Sequence, residues 1–323
     1  MKILQKISSF LTRFTSPFII ATAILTFVEP RLFLWVKGDM QTVTLGLIML
    51  TMGLTLKPED FKILARRPWD IFIGACAQYT LMPLIAFALV HIFKVSPGIA
   101  AGLLLVGCCP GGVSSNIISY LSRGDVAFSV GMTTASTLLS PILTPLLMLL
   151  LAGEKIEVNG WGMFQSILIV TILPVAAGAV ANWKFGHFSG YQELCKVMPG
   201  LSVICFACIV GGVVAYNGKN FFTSGAVIFL MIFLHNAVGY VTGFFVGKAA
   251  RMNQAQRRTI SIEVGMQNAG LATVLANKHF EALPEAAVAS AVSCVWHSIS
   301  GTILAGIFVA YDRYCEKKAA RKA

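Results

Sequence analysis

Charge is what this sequence has least of. Asp, Glu, Lys and Arg together make up 12% of its 323 residues, against about 25% in a water-soluble domain, so the polar surface that water requires is lacking. The formal net charge is +11, yet the basic residues form no single patch. They sit in short connections between hydrophobic runs, which excludes nucleic-acid binding as a sensible reading. A disulfide framework is also missing: Cys76, Cys108, Cys109, Cys205, Cys208 and Cys294 lie inside apolar runs, and Cys195 and Cys315 lie in basic segments. Cys205 and Cys208 form a C-x-x-C with no second His or Cys pair, which leaves small apolar packing residues as the default. There is no H-E-x-x-H, no G-x-S-x-G and no pair of intramembrane aspartates, so an intramembrane enzyme has no evident machinery. The basic stretch Met1 to Phe14 is not followed by a small-residue cleavage site, and the next apolar run reads as a retained first helix.

What is present is hydrocarbon. Apolar classes supply 56% of the chain and mean hydropathy is +0.77. Runs of about 20 apolar residues, the length of a membrane crossing, recur along almost all of it. Breaks at charge and turn clusters predict ten spans, at about 15–36, 41–56, 69–93, 98–122, 126–152, 161–182, 198–216, 221–249, 259–278 and 286–310. With the N-terminus in the cytoplasm, all but Arg31, Lys37, Lys94, Lys155, Lys219 and Lys278 of the 25 basic residues fall on the inner side. That bias predicts an even number of spans with both termini inside, as in a multi-pass protein of a bacterial inner membrane. Residues 1–152 and 161–323 then form two halves of five spans, joined by a linker at 153–160. Five is odd, so related halves would be inverted repeats, and a binding site is expected where matching helices are broken.

Two such places exist. The fourth span holds Gly107-Cys108-Cys109-Pro110-Gly111-Gly112-Val113-Ser114-Ser115-Asn116. Pro110 has no N–H to give a helix, and Gly111 and Gly112 accept backbone angles that a helix forbids. The ninth span, fourth of its half, holds Glu263-Val264-Gly265-Met266-Gln267-Asn268-Ala269-Gly270. Unwound backbone at mid-membrane survives only where protein, water or an ion satisfies it. Small-residue packing faces would explain the glycines but not Glu263, Gln267 and Asn268. Of fourteen acids, Glu263 alone lies well inside a span, where a charge costs about 2.5–3.5 kcal/mol on insertion scales unless paired or protonated. No Lys or Arg lies deep enough to pair with it, so a cation from solution is the natural partner. Oxygen donors such as Gln267, Asn116 and serine hydroxyls suit Na⁺ better than a transition metal, with a proton as the rival coupling ion. Ser129, Thr133 and Thr137 share a face of the fifth span, where a purely structural role weighs equally. Gln78 and Asn236 occupy equivalent places in the two halves; His235 reads as packing, and His297 fits packing and a cavity equally.

These residues resemble the bile acid:sodium symporter family, through Gly107 to Asn116, Thr51 to Phe61 (TMGLTLKPEDF) and Glu263 to Gly270, with a likeness that runs from about residue 40 to 310. The resemblance implies an all-α fold with a panel domain of spans 1, 2, 6 and 7 and a core domain of spans 3–5 and 8–10, spans 4 and 9 being unwound where they cross. It implies two Na⁺ ions. One would be held by Ser115, Asn116, Ser129, Thr133 and Glu263. The other would be held by Gln78, Glu263, Gln267 and the carbonyls of Val264 and Met266. Substrate would sit between panel and core against Asn268 and His297, where the half-helix N-termini favour an anionic group. Val113 stands where some relatives are expected to carry a hydroxyl, so the substrate does not transfer with the resemblance.

Sodium-coupled uptake of an organic anion by alternating access is therefore the leading expectation; a bile salt, a steroid-like acid and a small carboxylate all fit. Proton coupling or export is the alternative within the same class. An intramembrane enzyme is remote, and one buried acid between broken helices suits an occludable site better than a ring-lined channel. The expected partners are the organic anion, sodium and the lipid bilayer; no oligomeric state is written in the sequence.

Overall fold

The computed structural model describes residues 1–56, 62, 65–153 and 156–320, the side chains at 219–224 and 319–320 apart. Lys57, Glu59, Asp60 and Phe61 of the Thr51 to Phe61 motif, Glu154 and Lys155 of the linker, and Arg321 and Lys322 of the tail lie outside the described residues. The described chain is helical throughout, with one isolated antiparallel bridge, between Gly111 and Gln267. In order come α1 (Lys2–Arg13), α2 (Thr15–Val28), α3 (Asp39–Thr55), α4 (Pro68–Phe93), α5 (Pro97–Cys108), α6 (Ser115–Leu121) and α7 (Val126–Leu151). They are followed by α8 (Gly160–Phe185), α9 (Ser189–Cys195), α10 (Met198–Ala249), α11 (Gln254–Gly265), α12 (Ala269–His279) and α13 (Pro284–Ala320).

Local chemistry sets many of these starts. Pro68 and Pro97 stand in the first turns of α4 and α5, where a missing N–H costs nothing. Asp125 caps α7 by accepting from Phe128 N at 3.1 Å, and Asn253 with Gln256 closes a reciprocal capping box on α11 at 3.0 Å in each direction. In α8, Leu168–Ile172 widens into a π turn directly before Pro174. The extra residue relieves the clash between the proline ring and the carbonyl four residues back.

Among the described residues, six helices are long and apolar enough to cross a membrane: Pro68–Phe93, Val126–Leu151, Gly160–Phe185, Ser189–Gly218, Gly225–Ala249 and Pro284–Lys318. Counting α1 and α2, bent by 81°, as one unit would make seven. The other predicted spans correspond to α3, which has 17 residues, and to the two broken pairs α5–α6 and α11–α12. The seventh and eighth predicted spans correspond to two separate apolar helices, Ser189–Gly218 and Gly225–Ala249. Non-helical angles at Asn217 (φ −119°, ψ 15°) mark the kink between them, so α10 consists of two arms. The last helix also continues past the predicted end at 310, because Arg258 and Arg123 bond Asp312 and Arg123 bonds Glu316.

The helices pack in two groups. α3 crosses α8 so closely that a Cβ on Gly178 would lie 2.6 Å from the Leu50 carbonyl oxygen. Thr51 and Ser202 meet hydroxyl to hydroxyl at 2.5 Å, and Ser8 binds the Gly200 amide at 2.9 Å, gathering α1, α2, α3, α8 and the first arm of α10. In the other group Tyr79 donates to the Ser136 carbonyl at 2.6 Å and Thr144 to the Cys108 carbonyl at 2.7 Å. At one end of that group Arg67 meets Asp125 at 2.5 Å and Gln256 donates to Asp70 at 3.0 Å. With Arg258 on Asp312 these contacts tie α4, α7, α11 and α13 together. The site lies where the groups face each other.

Candidate functional site

The two breaks cross, and each satisfies the other. Gly112 N donates to the Met266 carbonyl and Asn268 N to the Pro110 carbonyl, both at 2.8 Å, on either side of the Gly111–Gln267 bridge. Gly112 permits the approach: a Cβ there would lie 2.7 Å from the Gln267 carbonyl oxygen. Side-chain amides from neighbouring helices occupy the carbonyls at which each helix unwinds. Gln78 of α4 donates to the Cys109 carbonyl at 3.3 Å, and Asn236 of α10 donates to the Gly265 carbonyl at 2.6 Å. Ser136, which the sequence reading passed over, accepts from Gly111 N at 3.3 Å. It stands seven residues after Ser129 and so on the same helical face, a spacing that would have revealed it.

Glu263 is buried against this crossing. One carboxylate oxygen accepts from Ser115 at 2.5 Å and from Ser129, and the other accepts from Thr133 at 2.9 Å. Asn116 joins through Thr133 at 3.5 Å. The five residues expected around the first ion are thus in one cluster. Thr137 does not reach the carboxylate; its carbonyl accepts from Ser140 instead. Each hydroxyl that donates to Glu263 keeps an oxygen lone pair, so the cluster offers hard oxygens around a single carboxyl group. Among the described residues no group of three or more His, Cys, Asp or Glu side chains stands ready for a metal.

The other expected set is assembled differently. Gln267 donates to the Val264 carbonyl at 2.6 Å, and its own amide oxygen accepts from Gln78. The Met266 carbonyl is the one already engaged by Gly112. Gln78, Gln267, Val264 and Met266 therefore lie together at the crossing, but no hydrogen bond joins them to Glu263, and their oxygens are mostly committed to one another. The exception is the Gln78 amide oxygen, which is buried with no partner. Because the Gln78 amide nitrogen faces two acceptors, that oxygen is fixed as the free atom, and an orphaned acceptor at this depth suits a cation.

A cavity of about 330 Å³ separates the two helix groups. Asn116, Val113, Asn268 and His297 line one side, and Met49, Met52 and Phe206 the other; it reaches Thr12, Thr15, Thr55 and Pro199 at one end. Asn268 caps α12 with its side-chain oxygen (Leu271 N, 3.0 Å), and its amide nitrogen has only the Met49 sulfur near it at 3.9 Å. His297 Nδ1 faces the Gln267 carbonyl at 3.3 Å, so that nitrogen carries the proton and Nε2, buried without a partner, is an acceptor. His235 is structural through its bond to the Met82 carbonyl at 3.0 Å. All eight cysteines are free.

Comparison with known proteins points to one family of transporters. Residues 42–224 match the model of the sodium bile acid symporter family. A sodium-dependent transporter of Bacillus subtilis, YocS, is 42% identical over 322 residues, covering 100% of this chain and 97% of its own length. The probable chloroplastic sodium/metabolite cotransporter BASS1 of Arabidopsis thaliana is 42% identical over 285 residues (88% of this chain, 70% of its own). The corresponding BASS2 of Oryza sativa is 36% identical over 301 residues (93% and 71%).

Proposed function

The chain belongs to the sodium bile acid symporter family, and on that premise we propose that it is a sodium-coupled symporter that carries an organic anion by alternating access. The observation that carries this reading is Glu263, an isolated carboxylate ringed by three hydroxyls at the crossing of two broken helices. One Na⁺ is held by Glu263, Ser115, Ser129, Thr133 and Asn116. A second is held by Gln78, Gln267 and the Val264 and Met266 carbonyls, with Glu263 the anion for both. Its arrival requires the Gln78–Gln267 bond to open, and the partnerless Gln78 oxygen is where that ion would land.

In this reading ten helical passes form two inverted five-helix repeats, with both termini in the cytoplasm of a bacterial inner membrane. The group containing α3 and the first arm of α10 is the panel, the group around the crossing is the core, and substrate occupies the cavity between them. Asn268 Nδ2 supplies a donor for a carboxylate, and His297 Nε2 an acceptor for a hydroxyl, so a hydroxylated organic acid fits best. A second cavity of about 320 Å³, lined by Lys37, Gln41, Tyr216 and Asn277, lies farther along the same α3–α12 seam. Asn277 donates to Gln41 at 2.7 Å between the two cavities, which closes the outer route while the first cavity reaches the inner ends of α3 and α10.

Uptake into proteoliposomes tests the coupling. Wild-type protein takes up substrate under a Na⁺ gradient at uniform pH and not under a pH gradient in K⁺, and Glu263→Gln takes up none under either. Uptake driven by pH alone would replace sodium with a proton, and full Na⁺-driven uptake by Glu263→Gln would remove Glu263 from the site.

A further inference from the structure

The first helix carries its polarity the wrong way round for a segment packed on a protein in water. Ile3, Leu4, Ile7 and Phe10 recur at the spacing of one helical face, and that face is exposed, with Ile3 at 75% and Phe10 at 62%. The opposite, polar face is the one docked. Ser8 is buried, accepts from Gly200 N at 2.9 Å and donates to the Val197 carbonyl at 3.1 Å. Gln5 donates to the Glu193 carboxylate at 2.5 Å. With 12 residues, α1 is about 18 Å long and cannot cross a bilayer core of about 30 Å. It meets α2, the first apolar run, at 81°, so it is held at the membrane boundary and lies nearly across the direction of the next helix.

A third feature identifies the surface it meets. Lys2, Lys6 and Arg13 are spaced by four and seven residues, which aligns them on one edge of α1 between its apolar and docked faces. An apolar face flanked by a row of basic side chains matches the boundary between acyl chains and negatively charged headgroups. We propose that α1 lies in the plane of the membrane surface, with Ile3, Leu4, Ile7 and Phe10 among the acyl chains and Lys2, Lys6 and Arg13 binding anionic phospholipid headgroups. Thr12 and Thr15 belong to the wall of the 330 Å³ cavity, so lipid bound along α1 secures one rim of that cavity. The inference does not depend on which ion drives transport.

Two measurements on the full-length protein test it. In nanodiscs containing phosphatidylglycerol, Ile7→Cys should react with an impermeant thiol reagent about tenfold more slowly than Ser9→Cys, with each site read by peptide mapping so that native cysteines are resolved separately. Equal rates would put the apolar face in water and overturn the in-plane placement. Protein extracted from vesicles of equal phosphatidylglycerol and phosphatidylcholine should retain the anionic lipid in excess. Combined Lys2→Gln, Lys6→Gln and Arg13→Gln should reduce that excess several-fold, as should high salt, without loss of folded protein. An unchanged excess in the triple variant would overturn the headgroup assignment.

Discussion

The two breaks at the centre of this protein are held alike and filled differently. Laying one segment over the other in the same chain direction, with Gly111 in the place of Gln267, makes Pro110 the counterpart of Met266 and Gly112 that of Asn268, and the two crossing hydrogen bonds exchange under that correspondence. The same correspondence makes Cys109, bonded by Gln78, the counterpart of Gly265, bonded by Asn236. It also makes Gly107 the counterpart of Glu263 and Leu271 that of Ser115. Here the likeness ends. A Cβ on Gly107 would lie 2.9 Å from the Met82 carbonyl oxygen, and Leu271 is wholly buried. One member of the pair is packed shut by helix against helix; the other holds a carboxylate and three hydroxyls. Symmetry supplies a crossing of two unwound segments, and the chemistry resides on one side of it.

The largest expected effect separates these two sides. Na⁺ should raise the melting temperature of wild-type protein by several degrees, because an ion that binds only the folded state stabilises it by about 2.7 kcal/mol at a hundred times its dissociation constant. Glu263→Gln should abolish that increment, since bound sodium would lose its one formal counter-charge at low dielectric. Gly107→Ala should lower the melting temperature, at a cost of about 1–3 kcal/mol for overpacking, and leave the Na⁺ increment in place. Loss of the increment in both variants would show that the two sides are not chemically distinct.

The next effect attacks the crossing itself. Replacing Pro110, Gly111 and Gly112 together by alanine restores helix-forming residues and puts a methyl group 2.7 Å from the Gln267 carbonyl oxygen. Transport should be lost while the protein still inserts in the membrane, read by uptake alongside monodispersity in detergent. Normal uptake by the triple variant would reduce the breaks to packing.

The features legible in the sequence were those with a local cause. Pro110 with two glycines announced one break, Glu263 among apolar neighbours announced the charge, and Ser129 with Thr133 showed the hydroxyl face through helical spacing. The cap made by Asn268 and the commitment of Gln78 to Gln267 could not be read, because both depend on which carbonyls the crossing brings near. The cavity residues Met49, Met52 and Phe206 gave no signal at all, since apolar side chains facing a cavity are indistinguishable by type from those facing lipid.

A smaller effect compares the two amides. Each satisfies one carbonyl at the start of a break, so Gln78→Ala and Asn236→Ala should both destabilise the fold by about 1–3 kcal/mol through an unsatisfied buried acceptor. Only Gln78→Ala should also weaken Na⁺, because only Gln78 has a free oxygen beside the crossing. The check is Na⁺ titration of the melting temperature in each. Equal loss of Na⁺ response would place Asn236 in the ion site too.

The smallest effect concerns the seam rather than the crossing. Gln41 and Asn277 sit on helices from different packing groups, and their bond at 2.7 Å lies between the two cavities. A neutral hydrogen bond is worth about 0.5–1.5 kcal/mol net. Gln41→Ala or Asn277→Ala should therefore shift an equilibrium between inner-open and outer-open states by only about two- to tenfold. A cysteine at Met49, on the cavity wall and two turns from Gln41, would report the shift: its labelling by an impermeant reagent added outside should rise by that factor in either variant. The double variant should add little beyond either single one, because each removes the same bond. A rise in one single variant alone would mean that the other residue does not hold the seam, and no rise in either would mean that the seam is closed by the apolar packing of α3 on α12.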